Sequence, residues 1–196
     1  FRKVSFKCAG ADEDVISNIS FTAKAGETTA FIGSTGSGKS TLINLVPRFY
    51  DVTEGSILVD GTDVREYSSK GLMKKIGYVP QKGFLFSGTV KSNILFGVDS
   101  EIKEDRMKEA AKIAQASEFI EKLPEKYESK IVEGGTNVSG GQRQRLSIAR
   151  AVAKNPEIYI FDDSFSALDY KTDKQLIKVL NEYTKDATKI IVAQRV

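Results

Sequence analysis

Residues 33–41 read Gly33-Ser34-Thr35-Gly36-Ser37-Gly38-Lys39-Ser40-Thr41. The run satisfies G-x-x-x-x-G-K-[ST] through Gly33, Gly38, Lys39 and Ser40, the pattern that cradles phosphate groups. Its glycines permit the positive φ that turns successive backbone N–H groups inward. A helix that opens directly after it adds partial positive charge where phosphate oxygens would sit. Lys39 then reaches the β- and γ-phosphates of a nucleotide, and the Ser40 hydroxyl ligates Mg²⁺. The bland alternative is a glycine-rich turn between a strand and a helix. Context favours the cradle, because the β-branched, apolar run Thr28–Ile32 precedes it and the helical stretch Ser40–Val46 follows it. A metal beside phosphates needs a carboxylate. Ile158-Tyr159-Ile160-Phe161-Asp162 supplies one, as four apolar residues of a buried strand with an acid at its end. Asp162 is placed to bind Mg²⁺ directly or through water. Its alternative is an ordinary cap for the next turn.

Ser139-Gly140-Gly141-Gln142 opens another helical stretch, 139–154. It reads either as a capped, glycine-flexible helix start or as a second helix N-terminus that meets an anion. One nucleotide does not need two such cradles from one chain. Other chemistries are excluded by composition. The chain has no histidine, which removes the Ser-His-Asp triad, histidine zinc sites and a histidine general base within it. One cysteine, Cys8, allows no internal disulfide and no Cys-x-x-Cys knuckle. Lysine and arginine total 29 against 26 acidic residues, a net +3 that does not by itself argue for nucleic acid.

These residues need a scaffold. The length of 196 residues suits about one domain, and 40% apolar with 28% charged residues is an ordinary globular balance. No apolar run approaches 18 residues, the minimum for a membrane-crossing helix. Opening on Phe1 without a methionine suggests a piece excised from a longer chain. Strand-like and helix-like stretches alternate, which favours an α/β fold. Strands are expected at 4–6, 19–23, 28–32 (buried), 56–59 with the Asp60-Gly61 turn after it, 76–79, 158–161 and 189–193. Helices are expected at 101–123, interrupted by Pro124, at 139–154 and at 172–183, with a helical insertion over roughly 85–140.

The segment Asn137-Val138-Ser139-Gly140-Gly141-Gln142-Arg143-Gln144-Arg145, with the two motifs above, closely resembles the ATP-binding domain of ABC transporters. Pro47-Arg48-Phe49-Tyr50-Asp51, Leu85-Phe86-Ser87-Gly88-Thr89-Val90 and Ser147-Ile148-Ala149-Arg150-Ala151 are similar to its exporter branch. The resemblance covers nearly the whole chain. It implies a P-loop NTPase core with a parallel or mixed sheet, an N-terminal antiparallel β part and the helical insertion. It further implies one domain over 1–196, cut short at its C-terminal end, with a transmembrane domain upstream and a place on the cytoplasmic face of the cell membrane. ATP and Mg²⁺ are the expected cofactors, and nucleic acid is not an expected partner. Two such domains pair head to tail, so Ser139, Gly140, Gly141 and Gln142 close over ATP held by a second ATP-binding domain. Gln81 matches the family's Q-loop, a contact to Mg²⁺ and to the region of the attacking water, and the Gln81–Ser87 region faces the transmembrane domain. Glu133 stands where exporters carry a glutamate ahead of the family's signature, here Ser139-Gly140-Gly141-Gln142. Ser166-Ala167-Leu168-Asp169 resembles the loop that crosses the dimer interface, with Asp169 at that contact; a cap for the next helix is its alternative.

Three positions depart from the family pattern. Where active members place a glutamate that polarises water, this chain has Asp163, a carboxylate one methylene shorter. A displacement of about 1 Å costs on the order of 10²-fold in rate. The switch histidine is replaced by Gln194, which donates a hydrogen bond but carries no titrating charge. Together they are similar to the degenerate half of a heterodimeric exporter, in which one composite site hydrolyses ATP and the other mainly holds it. Cys8 stands where exporters offer an aromatic to adenine, and a lost base stack is worth about 1–3 kcal/mol. By family position Val15 packs near ribose or base. Phe6 alternates to the other face if 4–8 is one strand. Three other readings compete. A fully active homodimeric exporter ATPase differs in activity alone. An SMC-type DNA-repair ATPase would separate loop and signature by long coiled coils, whereas about 100 residues without sustained heptads intervene here. A small-molecule P-loop kinase leaves 139–142 unexplained. Arg143, Arg145 and Arg150 are expected on a solvated helix face or a dimer interface.

Overall fold

The computed structural model describes residues 1–98, 104–166 and 170–193, with side chains throughout except at 170–173. The first half holds β1 (Arg2–Phe6), β2 (Ile16–Ile19), β3 (Thr28–Ile32), α1 (Lys39–Asn44), β4 (Glu54–Ser56), β5 (Leu58–Val59), β6 (Thr62–Asp63), α2 (Ser69–Lys75) and β7 (Ile76–Val79). Then come β8 (Gly88–Thr89), α3 (Val90–Ile94), α4 (Glu104–Ile113), α5 (Ser117–Glu121), β9 (Lys130–Ile131), α6 (Gly140–Lys154), β10 (Ile158–Asp162), α7 (Tyr170–Tyr183) and β11 (Thr188–Ala193).

Four parallel strands form the central sheet in the order β3-β11-β10-β7. None of these neighbours is joined by a hairpin, so every connection crosses over, as parallel pairing demands. Strand β10 shows why its sequence is nearly all apolar. Its side chains alternate between faces: Tyr159 and Phe161 enter a core with Val79, Leu146, Val152 and Leu176, whereas Ile158 and Ile160 pack with Ile43, Ile76, Ile190 and Val192. A strand covered on both faces has no polar face to show. Full burial of an aliphatic or phenylalanine side chain such as Ile160 or Phe161 contributes about 1.5–3 kcal/mol. The register aligns Ile32 with Ala193, Val192 with Asp162 and Phe161 with Val79, so the segments after β3, β7 and β10 leave the same edge of the sheet.

A three-stranded antiparallel sheet, β2-β1-β4, precedes this core. Strand β2 runs over Ile16–Ile19 instead of the expected 19–23. Pairing of Val4 with Ile19 and Phe6 with Ile16 leaves an extra residue on β2, and Asn18 there takes φ +50°. Such a bulge bends the strand and ends the ladder early. Strand β1 stops at Phe6, so 4–8 is not one strand, and Phe6 is buried against Tyr50 with ring centroids 5.5 Å apart. The expected 56–59 strand is two short strands in different sheets. Strand β5 pairs with β6 across Asp60 (φ +50°) and Gly61 (φ +80°), a two-residue turn with both φ values positive. Strand β3 occupies its expected bounds but is not buried: it lies at the sheet edge, and Ile32 is 54% exposed.

The expected helix over 101–123 is two helices, α4 and α5, separated at Gln115, which adopts φ +54°. Residues 101–103 lie outside the described spans. Helix α6 begins with a capping box: Gln142 N donates to Ser139 Oγ (3.2 Å), and Ser139 N donates to Gln142 Oε1 (2.9 Å). It ends at Asn155, whose left-handed φ of +50° precedes Pro156. No helix among the described residues is long and apolar enough to cross a membrane.

Candidate nucleotide site

The loop after β3 has the backbone a phosphate cradle needs. Gly36 and Gly38 adopt φ +82° and +83°, a conformation L side chains rarely take. Ser37 closes the turn on Ser34, donating from N (3.4 Å) and Oγ (2.9 Å) to its carbonyl. Thr35 and Gly36 are exposed at the tip, while Gly33 and Thr41 are half-buried at the two ends. Lys39 folds back into the loop. Its ammonium donates to Gly33 O (2.7 Å), Ser34 O (2.6 Å) and Ser37 Oγ (3.2 Å). All three of its donors are thus aimed at loop oxygens, and the cation stands where an anionic ligand would exchange for them.

Ser40 Oγ donates to Asp162 Oδ1 at 2.7 Å. Asp162 is 7% exposed, and its Oδ2 lies 3.4 Å from the Tyr78 hydroxyl, which donates to Asn44 Oδ1 at 2.7 Å. Burial, then the Asp162 charge, raises the Tyr78 pKa, so the phenol keeps its proton. One hydroxyl and one buried carboxylate beside a phosphate loop form a hard oxygen set. That fits Mg²⁺, which takes one or two protein oxygens together with substrate phosphates and water. Consistent with so sparse a set, no group of three or more His, Cys, Asp or Glu residues arranged to hold a metal occurs among the described residues.

Asp163 follows with φ +46°, in the left-handed region that Asp tolerates better than most residues. Its N–H donates to Val192 O at 3.0 Å, and its Oδ2 accepts from Gln81 Nε2 at 3.0 Å. The fold therefore brings Gly33–Thr41, Gln81, Asp162 and Asp163 to one edge of the sheet. Ser164, fully buried, donates to Val79 O (2.7 Å) and ties the Asp163 segment to the strand that delivers Gln81. Val15 is 41% exposed, and its carbonyl stands 3.2 Å from where a Cβ on Gly38 would sit. It therefore borders the loop. Cys8 is exposed in the turn where Ala11 N donates to its carbonyl at 3.0 Å. Ser139, Gly140, Gly141 and Gln142 open α6, the first two exposed and the last two half-buried. Ser166 caps back on Asp163 O with its hydroxyl (2.9 Å). Asp169 and Gln194 lie outside the described residues, as does the rest of the Ala167–Asp169 segment. Glu133 is exposed in a short 3-10 turn before α6.

The three arginines are not a solvated stripe. Arg143 donates to Gly135 O and Val138 O, both at 3.0 Å. Arg145 donates to Gln115 O at 3.0 Å and covers the Phe119 ring. Arg150 holds Asn93 O, Phe84 O and Asn93 Oδ1 at 2.9–3.0 Å. Orphan backbone carbonyls in the irregular segments before α6 need donors, and the planar guanidinium supplies several at once. Sequence reasoning also passed over Tyr78, Asn44, Gly83, Ser164 and Gln144. A signal existed for one of them: Gln144 shares a helical face with the buried Ile148 and Ala151, a polar side chain where the 3.6-residue period calls for an apolar one.

Residues 16–166 match the family model described as ABC transporter. Over 194 residues the chain is 50% identical to an uncharacterized ABC transporter ATP-binding protein of Mycobacterium tuberculosis, covering 98% of this chain and 33% of that protein. It is 44% identical over 195 residues to the ATP-dependent lipid A-core flippase of Haemophilus influenzae, covering 100% of this chain and 33% of the flippase. A solved bacterial Atm1-family ABC exporter with ATP bound is similar with a TM-score of 0.93 and 37% identity, across 98% of this chain and 34% of that one. The chain thus spans about a third of the length of these relatives. With its parallel sheet, glycine loop, Ser40–Asp162 pair and capped signature helix, the chain belongs to the ABC transporter family, as an ATP-binding, ATP-hydrolysing domain of P-loop fold similar to those of exporters.

Proposed function

We propose that this domain holds Mg-ATP at its own site, turns it over slowly, and pairs head to tail with a second ABC ATP-binding domain to power export across a membrane. The observation that carries this reading is the water-side carboxylate. Asp163 is short, sits at φ +46° and already accepts a hydrogen bond from Gln81. Gln194 then stands at the switch position without a titrating group.

In this reading the loop N–H groups and Lys39 bind the phosphates, and Ser40 with Asp162 holds Mg²⁺. When bound, the ion neutralises phosphate charge as the γ-phosphoryl bond to the β-phosphate breaks. Gln81 and Asp163 orient the attacking water, and the shorter arm of Asp163 makes that step weak. Ser139, Gly140, Gly141 and Gln142 complete the partner's site, Asp169 crosses the interface, and Val15 and Cys8 flank the base. The transmembrane domain docks on the Gln81–Ser87 region, where Phe84 is 48% exposed. The domain accordingly lies on the cytoplasmic face. The names of its relatives, a lipid A-core flippase and a putative multidrug export protein of Bacillus subtilis, support export.

The test is ATP turnover of the full-length protein against protein concentration, beside the double variant Asp163→Glu plus Gln194→His. Slow parental turnover and a gain on the order of 10²-fold are expected. Equal, robust and cooperative turnover in both would make this a working homodimeric ATPase.

A further inference from the structure

Gln144, the fifth residue of α6, is 0% exposed, and both ends of its amide are used on one short segment. Nε2 donates to Pro80 O at 3.0 Å, and Oε1 accepts from Gly83 N at 2.7 Å. These two backbone groups bracket Gln81 and Lys82. A second observation shows how closely the segment is pressed on the helix: a Cβ on Gly83 would stand 2.7 Å from Arg143 O and 2.9 Å from Gln144 N. Only glycine fits there, because the obstacle is backbone. A third bond fixes the segment's start, from Ser164 Oγ to Val79 O.

We propose that Gln144 is a positioning residue for Gln81, an inference that rests on Gln81 acting in the ATP reaction. A buried amide that satisfies a donor and an acceptor three residues apart defines both the height and the tilt of the backbone carrying Gln81. An apolar side chain of equal size would fill the space and leave Pro80 O and Gly83 N unpaired. The other consequence concerns the second composite site. Gln144 lies five residues after Ser139 on one rigid helix, so the segment that reaches Asp163 and the signature offered to the partner move as one body. A shift of α6 at the partner's nucleotide therefore displaces Gln81 at this chain's own.

The experiment uses the full-length protein with Gln144→Met, Gln81→Ala and the double variant. Hydrogen exchange of the backbone over 79–86 is read alongside steady-state ATP turnover. Gln144→Met is expected to raise exchange there and to lower kcat roughly 10- to 100-fold, with KM for ATP within about twofold. In the double variant the losses do not multiply, because both act through one side chain. Gln144→Glu keeps the acceptor for Gly83 N and falls between Met and the parent. Faster exchange with unchanged kcat would overturn the proposal, as would losses that multiply or a loss confined to KM. Turnover unaffected by Gln81→Ala would instead remove the role given to Gln81, and the proposal with it.

Discussion

Ser40 and Asp162, 122 residues apart in the chain, meet through a 2.7 Å hydrogen bond from the serine hydroxyl to the buried carboxylate. The contact is made by the sheet. Strands β3 and β10 flank β11 in parallel, so the loop that ends one and the acid that ends the other leave on the same side. A hydroxyl and a carboxylate preset at this distance lower the reorganisation needed to receive a cation.

Asp162→Asn keeps the shape and removes the charge. Mg²⁺-dependent nucleotide binding is expected to lose its metal dependence and turnover to fall at least 10²-fold, while melting changes little because the amide still accepts from Ser40. Titration of a fluorescent ATP analogue with and without Mg²⁺ checks this. An unchanged metal requirement would place the ion elsewhere.

Tyr78→Phe removes the hydroxyl that sits between Asn44 Oδ1 and Asp162 Oδ2. Asn44 is left without its donor, at a cost of about 1 kcal/mol in stability. Loss of a group that orients a metal ligand weakens metal affinity roughly 10- to 100-fold. Chemical denaturation and Mg²⁺ titration measure the two effects separately, and both are expected in the same variant.

Asp163 separates strain from chemistry. Its φ of +46° costs an ordinary L-residue about 1–2 kcal/mol. Asp163→Gly should therefore melt within a few degrees of the parent or above it, yet lose the residual turnover. Asp163→Glu should gain turnover while melting lower, since glutamate lacks the short side chain that eases this conformation. A glutamate variant that is both faster and more stable would contradict the strain argument.

The parts of the site legible in the sequence are those whose chemistry is written locally. Gly38-Lys39-Ser40 and the acid after Ile158–Phe161 each announce themselves by residue type within a few positions, and β10 and β7 by their apolar runs. What escaped is what depends on long-range registration. The bulge at Asn18 shortens β2, and the edge position of β3 exposes a strand whose composition reads as buried. Tyr78 looks like an ordinary strand residue until the sheet order sets it beside Asp162, and Gln144, though polar on an apolar helix face, shows its partners only once α6 packs against the segment that carries Gln81. The arginines misled for the same reason: their partners are carbonyls, which every sequence has and none displays.

Arg150 gives the sharpest test of that last point. Its guanidinium donates to Asn93 O, Asn93 Oδ1 and Phe84 O, and it lies 5.2 Å from the Phe86 ring centroid and 5.8 Å from that of Phe96. Burial pushes its pKa down to about 10, which leaves it a cation at neutral pH. Arg150→Lys keeps the charge but not the planar fork. Lysine lacks the separate Nε, Nη1 and Nη2 donors that each meet one of these acceptors, so the Phe84–Phe86 segment, with its two exposed rings, is held less firmly, with an expected loss of about 2–3 kcal/mol. Desolvation also lowers the pKa of the new lysine in the folded state below its unfolded value of about 10.4. Above that folded pKa the unfolded chain binds more protons, and stability rises with pH. The variant is therefore expected to recover part of its loss as pH rises toward about 10.4, as read by melting across a pH series. A lysine variant that melts with the parent at every pH would show that charge alone, and not the fork, holds the Phe84–Phe86 segment in place.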